Sequence, residues 1–400
     1  MLNLLDAYCK ENELLINTKK TKCMIFNKSG RILSRDFFLN NTKLEIVRSY
    51  KYLGFILTPS GEIKTGLKDL RDRGFKAFMK LRRDLGVSFN QHIPTTLFLV
   101  ESLIKPIILY CSDFWGCINL PRSLSFEDLY KYNCKTNPVE KLFSSICKQI
   151  LGVQKQTPNT GVLLEMGQVP IHHFSVKFSV KNWERIKKGQ ANKLLISAYN
   201  ESETLNLPWT NGIKRLLNSV GMSTFYTSLY PNKLPFIFKK IAGRMSDIFN
   251  QNSFEIIKVP SNKLRTYAIF KKNAGFEDYL VQVKSVKERQ MVSKFRLSNH
   301  RLMIEIGRHR GIENAADRTC PFCPGVMEDE FHFLFDCKTY RLPRQNLLAP
   351  IFDSIHGFEF LSRDQKLEIL LCKMDVNLCK YIYRCSEIRS FLDAKPRQIA

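Results

Sequence analysis

The sequence predicts an α+β fold that is mainly helical, because strand-like and helix-like patterns occupy different parts of the chain. Short strand-like runs lie within residues 1–58, whereas apolar residues return at helical spacing from Glu62 onward. Residues 320–337 carry three cysteines and one histidine at metal-binding spacing. The 400 residues, 44% of them hydrophobic, are enough for two or three globular domains.

The first 58 residues are predicted to form one amphipathic helix and several short strands. The helix covers residues 1–15 and places Leu4, Leu5 and Tyr8 on one side. Turn-forming residues separate the strand-like runs that follow it. The predicted strands are residues 22–26, a hairpin of residues 37–39 and 44–47, and a single strand over residues 50–57.

Helical spacing dominates the rest of the chain. One helix is predicted between residues 67 and 81, and another over residues 94–109 with a kink at Pro106. Residues 121–138 have mixed polarity and are predicted to be a connector, whereas residues 139–285 are predicted to be mainly helical. Prolines predict breaks in that region at Pro158, Pro170, Pro208, Pro231 and Pro260.

The chain is strongly basic, with 62 lysines and arginines against 37 acidic residues and a formal net charge of +25. Nucleic acid is the leading partner for such a surface, because basic side chains gain from releasing phosphate counterions. An anionic membrane surface is second. The most apolar stretch, residues 97–118, contains Glu101, Lys105 and Asp113, so it predicts a core helix and no membrane span.

Location follows from two further features of the sequence. The first residues are interrupted by Asp6, Lys10 and Glu11, which is unlike a signal peptide. Twelve cysteines without such a signal are typical of reduced thiols. The expected location is the nucleus and cytoplasm.

The strongest local motif is C-x2-C followed after eight residues by H-x4-C, formed by Cys320, Cys323, His332 and Cys337. Three thiolates and one imidazole at this spacing predict a structural zinc ion, because a closed four-ligand site leaves no position for a reacting water. The alternative is three buried cysteines and an unrelated histidine. The acidic residues 328–330 between the ligands are predicted to form an acidic rim.

Residues 284–311 are predicted to form one basic helix that leads into the metal motif. Its apolar positions Met291, Phe295, Leu302 and Ile306 would pack on the metal module and leave the basic side chains outward. A solvated basic helix without a partner is the alternative. The candidate nucleic-acid contacts are Arg289, Lys294, Arg296, Arg301 and Arg308.

Other residues that could carry chemistry are predicted to be structural. Cys372, Cys379 and Cys385 have no recognised metal spacing and are interpreted as buried thiols. The pair His172–His173 has no cysteine or carboxylate beside it in the sequence. The three tryptophans are expected in the core, at Trp115, Trp183 and Trp209.

Several segments of the chain match one family in their order. They are LLDAYCKENELLINTKKTKCMIFN, VRSYKYLGFILTPSGE, SLIKPIILYCSDFWG, PWTNGIKRLLNSVGM, KFRLSNHRLMIEIGRHRG and CPFC followed by EDEFHFLFDCKTYRLPR. The set resembles the C-terminal part of reverse transcriptases from non-LTR (LINE-type) retrotransposons. The resemblance implies an order of regions: end of the palm at 1–58, thumb-like helices at 59–120, a helical connector region at 121–285, a basic helix with a CCHC zinc module at 286–345, and a helical tail at 346–400.

The resemblance also implies roles for individual residues. Lys20, or alternatively Lys22, lies where the family has polymerase motif D, in which a lysine assists the pyrophosphate leaving group. Tyr52 and Gly54 lie where the family grips the primer; an ordinary core strand is the alternative. Thumb residues that would contact a primer–template duplex are Lys68, Arg71, Lys76 and Arg82, and a solvated helix face is the alternative.

The catalytic residues of the family are missing from this chain. Polymerisation in the family needs two Mg²⁺ ions held by palm aspartates, and no Asp-Asp pair occurs in the sequence. The expected function is therefore a nucleic-acid-binding part of the polymerase that contacts template RNA, primer–template duplex and target DNA without its own active site. The alternatives are an enzyme part that works with a separately encoded fingers–palm chain, a zinc-dependent protein-interaction module, and an inert retroelement remnant.

Overall fold

A computed structural model of the protein describes residues 2–27, 29–31, 35–39, 41–118, 120, 136–227, 237–259 and 262–394. Helices dominate the described residues, and the strands are only two or three residues long. The predicted mainly helical α+β class is confirmed at this level. No helix in the described part of the chain combines the length and apolarity needed to cross a membrane.

Helix α1 (Leu2–Glu11) precedes six short strands that form three two-stranded sheets. The predicted hairpin near residue 40 exists, but its second strand is residues 42–43, and residues 45–46 pair instead with residues 22–23 in parallel. The strands are β1 (Lys22–Cys23), β2 (Phe38–Leu39), β3 (Thr42–Lys43), β4 (Glu45–Ile46), β5 (Tyr50–Tyr52) and β6 (Phe55–Leu57).

The single strand predicted over residues 50–57 is wrong, because this stretch is a hairpin in which β5 pairs antiparallel with β6. Leu53 and Gly54 have φ angles of 44° and 87°, and two consecutive positive values make a tight turn that suits paired strands. Two side chains from outside the hairpin hold the turn. Tyr110 donates a hydrogen bond to the Leu53 carbonyl, and Arg73 donates one to the Gly54 carbonyl at 2.8 Å. Gly54 also lies close to Tyr110, whose ring would be 3.2 Å from an added Cβ.

A helical segment follows from α2 (Lys64–Leu85) to α5 (Ser112–Trp115). Between them, α3 (Ile93–Leu99) continues into a π-helical turn over Val100–Ile104 and then into α4 (Lys105–Ile108). The change of winding lies directly before Pro106, which has no N–H to donate to the helix ladder. The helix predicted over residues 94–109 is therefore present but wound irregularly.

The remaining helices begin or end at several of the predicted breaks. Pro158 and Pro170 precede helices, and Pro208 is the first residue of one. Pro231, Pro260 and most of the predicted connector at 121–138 lie outside the described residues. The helices are α6 (Pro138–Leu151), α7 (Asn159–Glu165), α8 (Ile171–Lys187), α9 (Lys193–Thr204), α10 (Pro208–Ser219), α11 (Thr224–Thr227), α12 (Ile237–Lys258), α13 (Arg265–Phe270), α14 (Tyr279–Gln282), α15 (Val286–Arg296), α16 (Met303–His309), α17 (Arg341–Leu347), α18 (Ala349–Asp353), α19 (Arg363–Lys373) and α20 (Val376–Ala394).

One hydrophobic core extends from β6 to α20, so residues far apart in the sequence share it. Phe78, Phe143 and Phe333 are all buried in this core. A second core packs α8 against α10 around Trp183. Trp115 and Trp183 are buried as predicted, whereas Trp209 is half-buried against the second core.

The histidine pair was expected to lack a carboxylate partner, and this is wrong because His172 Nδ1 lies 3.4 Å from the buried Glu140 carboxylate. His172 and His173 are both buried in α8, and the His173 ring lies 3.1 Å from the Met245 carbonyl. Burial and the neighbouring His172 lower the pKa of His173 to about 3. The folded chain therefore keeps His173 neutral at pH values where an unfolded histidine is protonated.

This pKa predicts an acid-sensitive contribution to stability. Between about pH 6.5 and the folded value, the unfolded chain binds a proton that the folded chain excludes, so stability falls as the pH falls, by up to about 1.4 kcal/mol per unit. Urea unfolding at several pH values should show a shallower pH dependence for His173→Gln than for wild type. The control is exposed His356→Gln, and identical pH dependence in all three proteins would contradict the prediction.

Candidate metal centre and basic surface

The first two cysteines of the motif are held in a tight turn. The Cys320 N–H donates to the Val326 carbonyl at 2.7 Å, and the Cys323 N–H donates to the Cys320 carbonyl at 3.2 Å. Gly325 has φ of +75°, a value that a residue with a side chain rarely adopts, and it lets the chain turn back. Both sulfur atoms thus lie on one side of a short loop.

The other two ligand candidates lie at the two ends of a π-helical turn, His332–Asp336, which is followed by Cys337. The Cys337 N–H donates to the His332 carbonyl at 2.8 Å, which brings the two residues to the same side. Asp329 accepts a 2.8 Å hydrogen bond from the His332 backbone N–H and fixes the start of the turn. These hydrogen bonds direct the side chains of His332 and Cys337 toward the same point.

The four predicted ligands meet in the interior. Their candidate ligand atoms all lie within 4.8 Å of one another, and all four residues are buried. The Sγ atom of Cys337 lies 4.0 Å from that of Cys320 and 3.9 Å from that of Cys323. This buried cluster of three cysteines and one histidine could hold a metal ion.

Two observations show that the cluster fits a cation. Both ring nitrogens of His332 are buried without a hydrogen-bond partner, which is costly unless one of them binds an ion. Hydrogen bonding between the paired thiols raises the pKa of Cys320 and lowers that of Cys337, so the protein alone favours one thiolate of this pair. A cation between the sulfur atoms would stabilise further thiolates.

The prediction of an exposed acidic rim beside the metal site is wrong. Glu328, Asp329 and Glu330 are all buried, because each carboxylate pairs with an arginine from a distant part of the chain. The partners are Arg389 for Glu328, Arg363 for Asp329 and Arg265 for Glu330. Their positive charges balance the acidic loop and fasten it to α20, α19 and α13.

The Glu330 carboxylate has two partners, the Arg265 guanidinium and the His300 ring. It lies 2.9 Å from Arg265 and 2.9 Å from the His300 ring. Burial by itself would raise the pKa of Glu330, but His300 and Arg265 outweigh burial and lower the pKa to about 2. Arg265 also binds Glu305 at 2.6 Å, so one guanidinium joins the metal loop to α16.

The predicted basic helix over residues 284–311 is two helices, α15 and α16, separated by a loop in which Ser298 has φ of +50°. Phe295 packs on the metal module as predicted, with its ring centroid 5.3 Å from that of Phe333. The loop therefore interrupts the helix between α15 and α16. The basic side chains are consequently not arranged along one continuous helix face.

Two residues predicted to point outward to nucleic acid are buried, and this prediction is wrong for both. Arg289 is 2% exposed and donates to the carbonyls of Val283 and Asn90. Arg296 is 1% exposed and binds the carboxylates of Glu165 and Glu277. Their hydrogen bonds are satisfied inside the protein, so neither side chain is available to phosphate.

Glu165 is the centre of the network around Arg296. It is fully buried and accepts hydrogen bonds from Arg296 at 2.6 Å, from Tyr267 at 2.9 Å and from Tyr279 at 2.8 Å. Burial and the Glu165 carboxylate raise the pKa of both tyrosines, so both remain protonated donors. Arg296 also donates to the Leu371 carbonyl, which joins α15 to α19.

The other basic residues predicted in this region reach the surface to different degrees. Arg301 is exposed and Lys294 is half-buried, whereas half-buried Arg308 lies 3.9 Å from Glu305. The buried-thiol prediction holds for Cys379 and Cys385 and fails for Cys372, which is exposed. The Cys372 thiol donates to the Phe270 carbonyl at 3.1 Å.

The predicted thumb residues of α2 are all exposed. Steps of three and four residues place part of them on one stripe of the helix, while the flank next to it, including Leu70 and Phe78, is buried. Exposed Phe75 and Met79 lie within the same stripe. The stripe, here called the α2 stripe, consists of Lys64, Lys68, Arg71, Phe75, Met79 and Arg82; Lys76 is exposed beside it.

The residues predicted from motif D and the primer grip lie on the surface of the N-terminal part. Tyr52 is 58% exposed on the β5–β6 hairpin, so it is no core residue of an ordinary strand. Lys20 is exposed in a turn, and Lys22 pairs with Glu45 across β1 and β4. Among the described residues, neither lysine lies in a cluster of carboxylates that could hold catalytic metal ions.

The sequence predicts the four clustered residues that could hold a metal ion, but not the residues that surround them. Arg265, Arg363 and Arg389 are separated from their acidic partners by 65, 34 and 61 positions. No local spacing signals such pairs. The acidic triplet itself is the local signal, because three neighbouring buried carboxylates need cationic partners.

Comparisons with known proteins yield no family model, curated protein or solved structure that matches this chain.

Proposed function

We propose that this chain is a nucleic-acid-binding part of a retrotransposon-type reverse transcriptase, without catalytic aspartates of its own. The α2 stripe is the observation that carries the proposal. It presents four cations interleaved with exposed Phe75 and Met79 on one side of a 22-residue helix. Cations bind the phosphates of a strand, and an aromatic ring offers a face to a base or sugar.

The charge of the stripe is largely available to a ligand. Lys64 and Lys68 make no ion pair with another described residue, and Arg71 pairs only with its neighbour Asp72, which is itself exposed. An exposed pair of this kind is weak and breaks readily in favour of phosphate. The net charge of +25 supplies a favourable field for a polyanion.

The metal in the cysteine–histidine cluster is proposed to be a structural zinc ion. Tetrahedral coordination with Zn–S bonds of about 2.3 Å places sulfur atoms about 3.8 Å apart. The observed separations of 4.0 and 3.9 Å are close to this value. Four protein ligands complete the coordination sphere, so the ion would hold Phe333 and the acidic loop in place and take no part in a reaction.

The proposal is tested by binding to a primer–template duplex over a salt series. Each phosphate contact contributes roughly 0.9 to the slope of log affinity against log salt. Replacing Lys68 and Arg71 by alanine should weaken binding at low salt and reduce the slope by about 2. Fluorescence anisotropy with the zinc-loaded chain provides the measurement.

The control replaces two other exposed cations, Lys380 and Arg384 of α20, by alanine. It removes the same charge from the protein, so a general charge effect would lower both slopes equally. A full effect in the control, or no effect in the α2 variant, would contradict the assignment of the α2 stripe. Weak binding of the wild type at low salt would contradict the nucleic-acid function itself.

A second candidate is an enzyme part that docks onto a separate fingers–palm chain, and exposed apolar residues in the N-terminal part favour it. Leu4, Leu15 and Phe26 are 75%, 100% and 60% exposed. Large apolar side chains this exposed are available to a partner, and a patch of them is typical of an interaction site. Such a chain with an [FY]-x-D-D turn should copurify with the wild type and be lost with Leu15→Ser and Phe26→Ser. Equal recovery with both would contradict docking at this surface.

A further inference from the structure

A cavity of about 360 Å³ lies next to the metal module and is not used by the proposed duplex contacts of α2. It opens between α15, the loop that follows α15, the 152–154 turn and α20. Its volume is within the range of small-molecule sites. Apolar side chains from Met291, Phe295 and Phe333 form part of its lining.

Two cations of this cavity have no internal partner. Lys294 and Arg301 both line it, and neither side chain makes a hydrogen bond or ion pair with another residue in the described part of the chain. Other arginines near the metal module are paired, as Arg265 and Arg389 show. Lys294 and Arg301 are therefore placed to bind an anion from outside.

Several other lining residues are uncharged and polar. Side chains of Gln154, Asn299, Ser386 and Ser390 offer both donors and acceptors beside the apolar residues. A site with an apolar wall, hydrogen-bonding groups and two free cations matches a nucleotide, whose base is flat and polar-edged and whose phosphate is anionic. A fully paired duplex could not place a base in such a cavity without breaking a base pair.

The cavity depends on the metal module for its shape. Phe333 directly follows the ligand candidate His332, and its carbonyl accepts a 2.7 Å hydrogen bond from Tyr381 of α20. Arg389, which also lines the cavity, is held by Glu328 of the metal loop. Metal binding would thus fix two walls of the cavity at once.

We propose that this cavity binds one unpaired nucleotide of a single strand, with its base against Phe295 and Phe333 and its phosphate on Lys294 and Arg301. The proposal rests on the proposed nucleic-acid function and adds a separate contact for unpaired strands. The α2 stripe contacts the backbone of a duplex, whereas the cavity binds a nucleotide that is not base-paired.

The test compares a short single-stranded RNA with an abasic strand of equal length, which has the phosphates but no bases. The zinc-loaded wild type is expected to prefer the strand with bases by about tenfold or more, which corresponds to ~1.4 kcal/mol. Ser386→Trp fills the cavity and should abolish this preference while duplex binding stays unchanged. Replacement of Lys294 and Arg301 by glutamine should weaken binding of both strands.

The matched control replaces exposed Lys287 and Arg310 by glutamine, which removes the same charge from positions outside the cavity. The proposal is overturned if the control weakens the single strand as much as the cavity variant does. It is also overturned, with the proposed function intact, if Ser386→Trp keeps the preference for bases. If Ser386→Trp does not fold, the glutamine pair and its control decide the result.

Failure of the proposed function would look different. In that case the wild type would bind neither duplex nor single strand at low salt, and both proposals would fall together. Binding of duplex without any preference for bases over the abasic strand would overturn the cavity alone.

Discussion

Replacing Cys320 by serine is expected to release the metal ion and to produce a large loss of stability. Four buried candidate ligands from one short segment could hold an ion, and structural zinc contributes about 10–16 kcal/mol to isolated zinc-finger peptides at neutral pH. Here other packing supports the segment, so we expect a smaller loss, on the order of several kcal/mol. Metal content by mass spectrometry and urea unfolding, each with and without a chelator, provide the measurements.

The matched control is Cys372→Ser, which changes an exposed thiol that the structure places outside the cluster. It should retain one metal ion per chain and the wild-type unfolding midpoint. Chelation should destabilise wild type and Cys372→Ser equally and leave Cys320→Ser unchanged. Full metal content in Cys320→Ser would show that the cluster is not the binding site.

Replacing Arg296 by methionine is the second change with a large expected effect. The substitution leaves the Glu165 carboxylate buried with only tyrosine donors, and breaking a buried ion pair in this way costs about 3–5 kcal/mol. The loss should appear as a lower urea midpoint with little change in slope. It should also loosen α19, because Arg296 binds the Leu371 carbonyl.

Two further variants separate charge burial from loss of side-chain volume. Glu165→Gln combined with Arg296→Met removes both charges and should recover part of the stability lost in the single variant. Arg301→Ala removes an exposed arginine five positions along and should change stability by less than about 0.5 kcal/mol. An Arg296→Met protein as stable as Arg301→Ala would contradict the buried network.

The cluster of four candidate metal ligands could be predicted because its information is local. Cys320, Cys323, His332 and Cys337 lie within one short stretch, and the spacing alone limits which ion can bind. The helical region from α2 onward was predictable for a related reason, since its apolar residues recur at a fixed period. The identity of the polymerase regions remains a prediction from resemblance.

The burial of Arg289 and Arg296 could not be predicted from the same kind of pattern. Both residues look like exposed cations in a basic stretch, and the carboxylates of Glu165 and Glu277 are what make Arg296 an interior residue. Glu165 is 131 positions away from it. The 50–57 hairpin was missed for a different reason, because the Leu53–Gly54 turn has no strong turn dipeptide and is held by Tyr110 and Arg73.

The arginine that closes the acidic metal loop lies on the last described helix, and this fixes an order of events during synthesis. Ribosomes add residues from the N-terminus, so Cys337 is available long before Arg389. The candidate ligands can bind an ion early, whereas Glu328 remains unpaired until Arg389 is translated 61 residues later. Nascent chains that end before α20 should therefore carry the metal yet remain sensitive to protease at this loop.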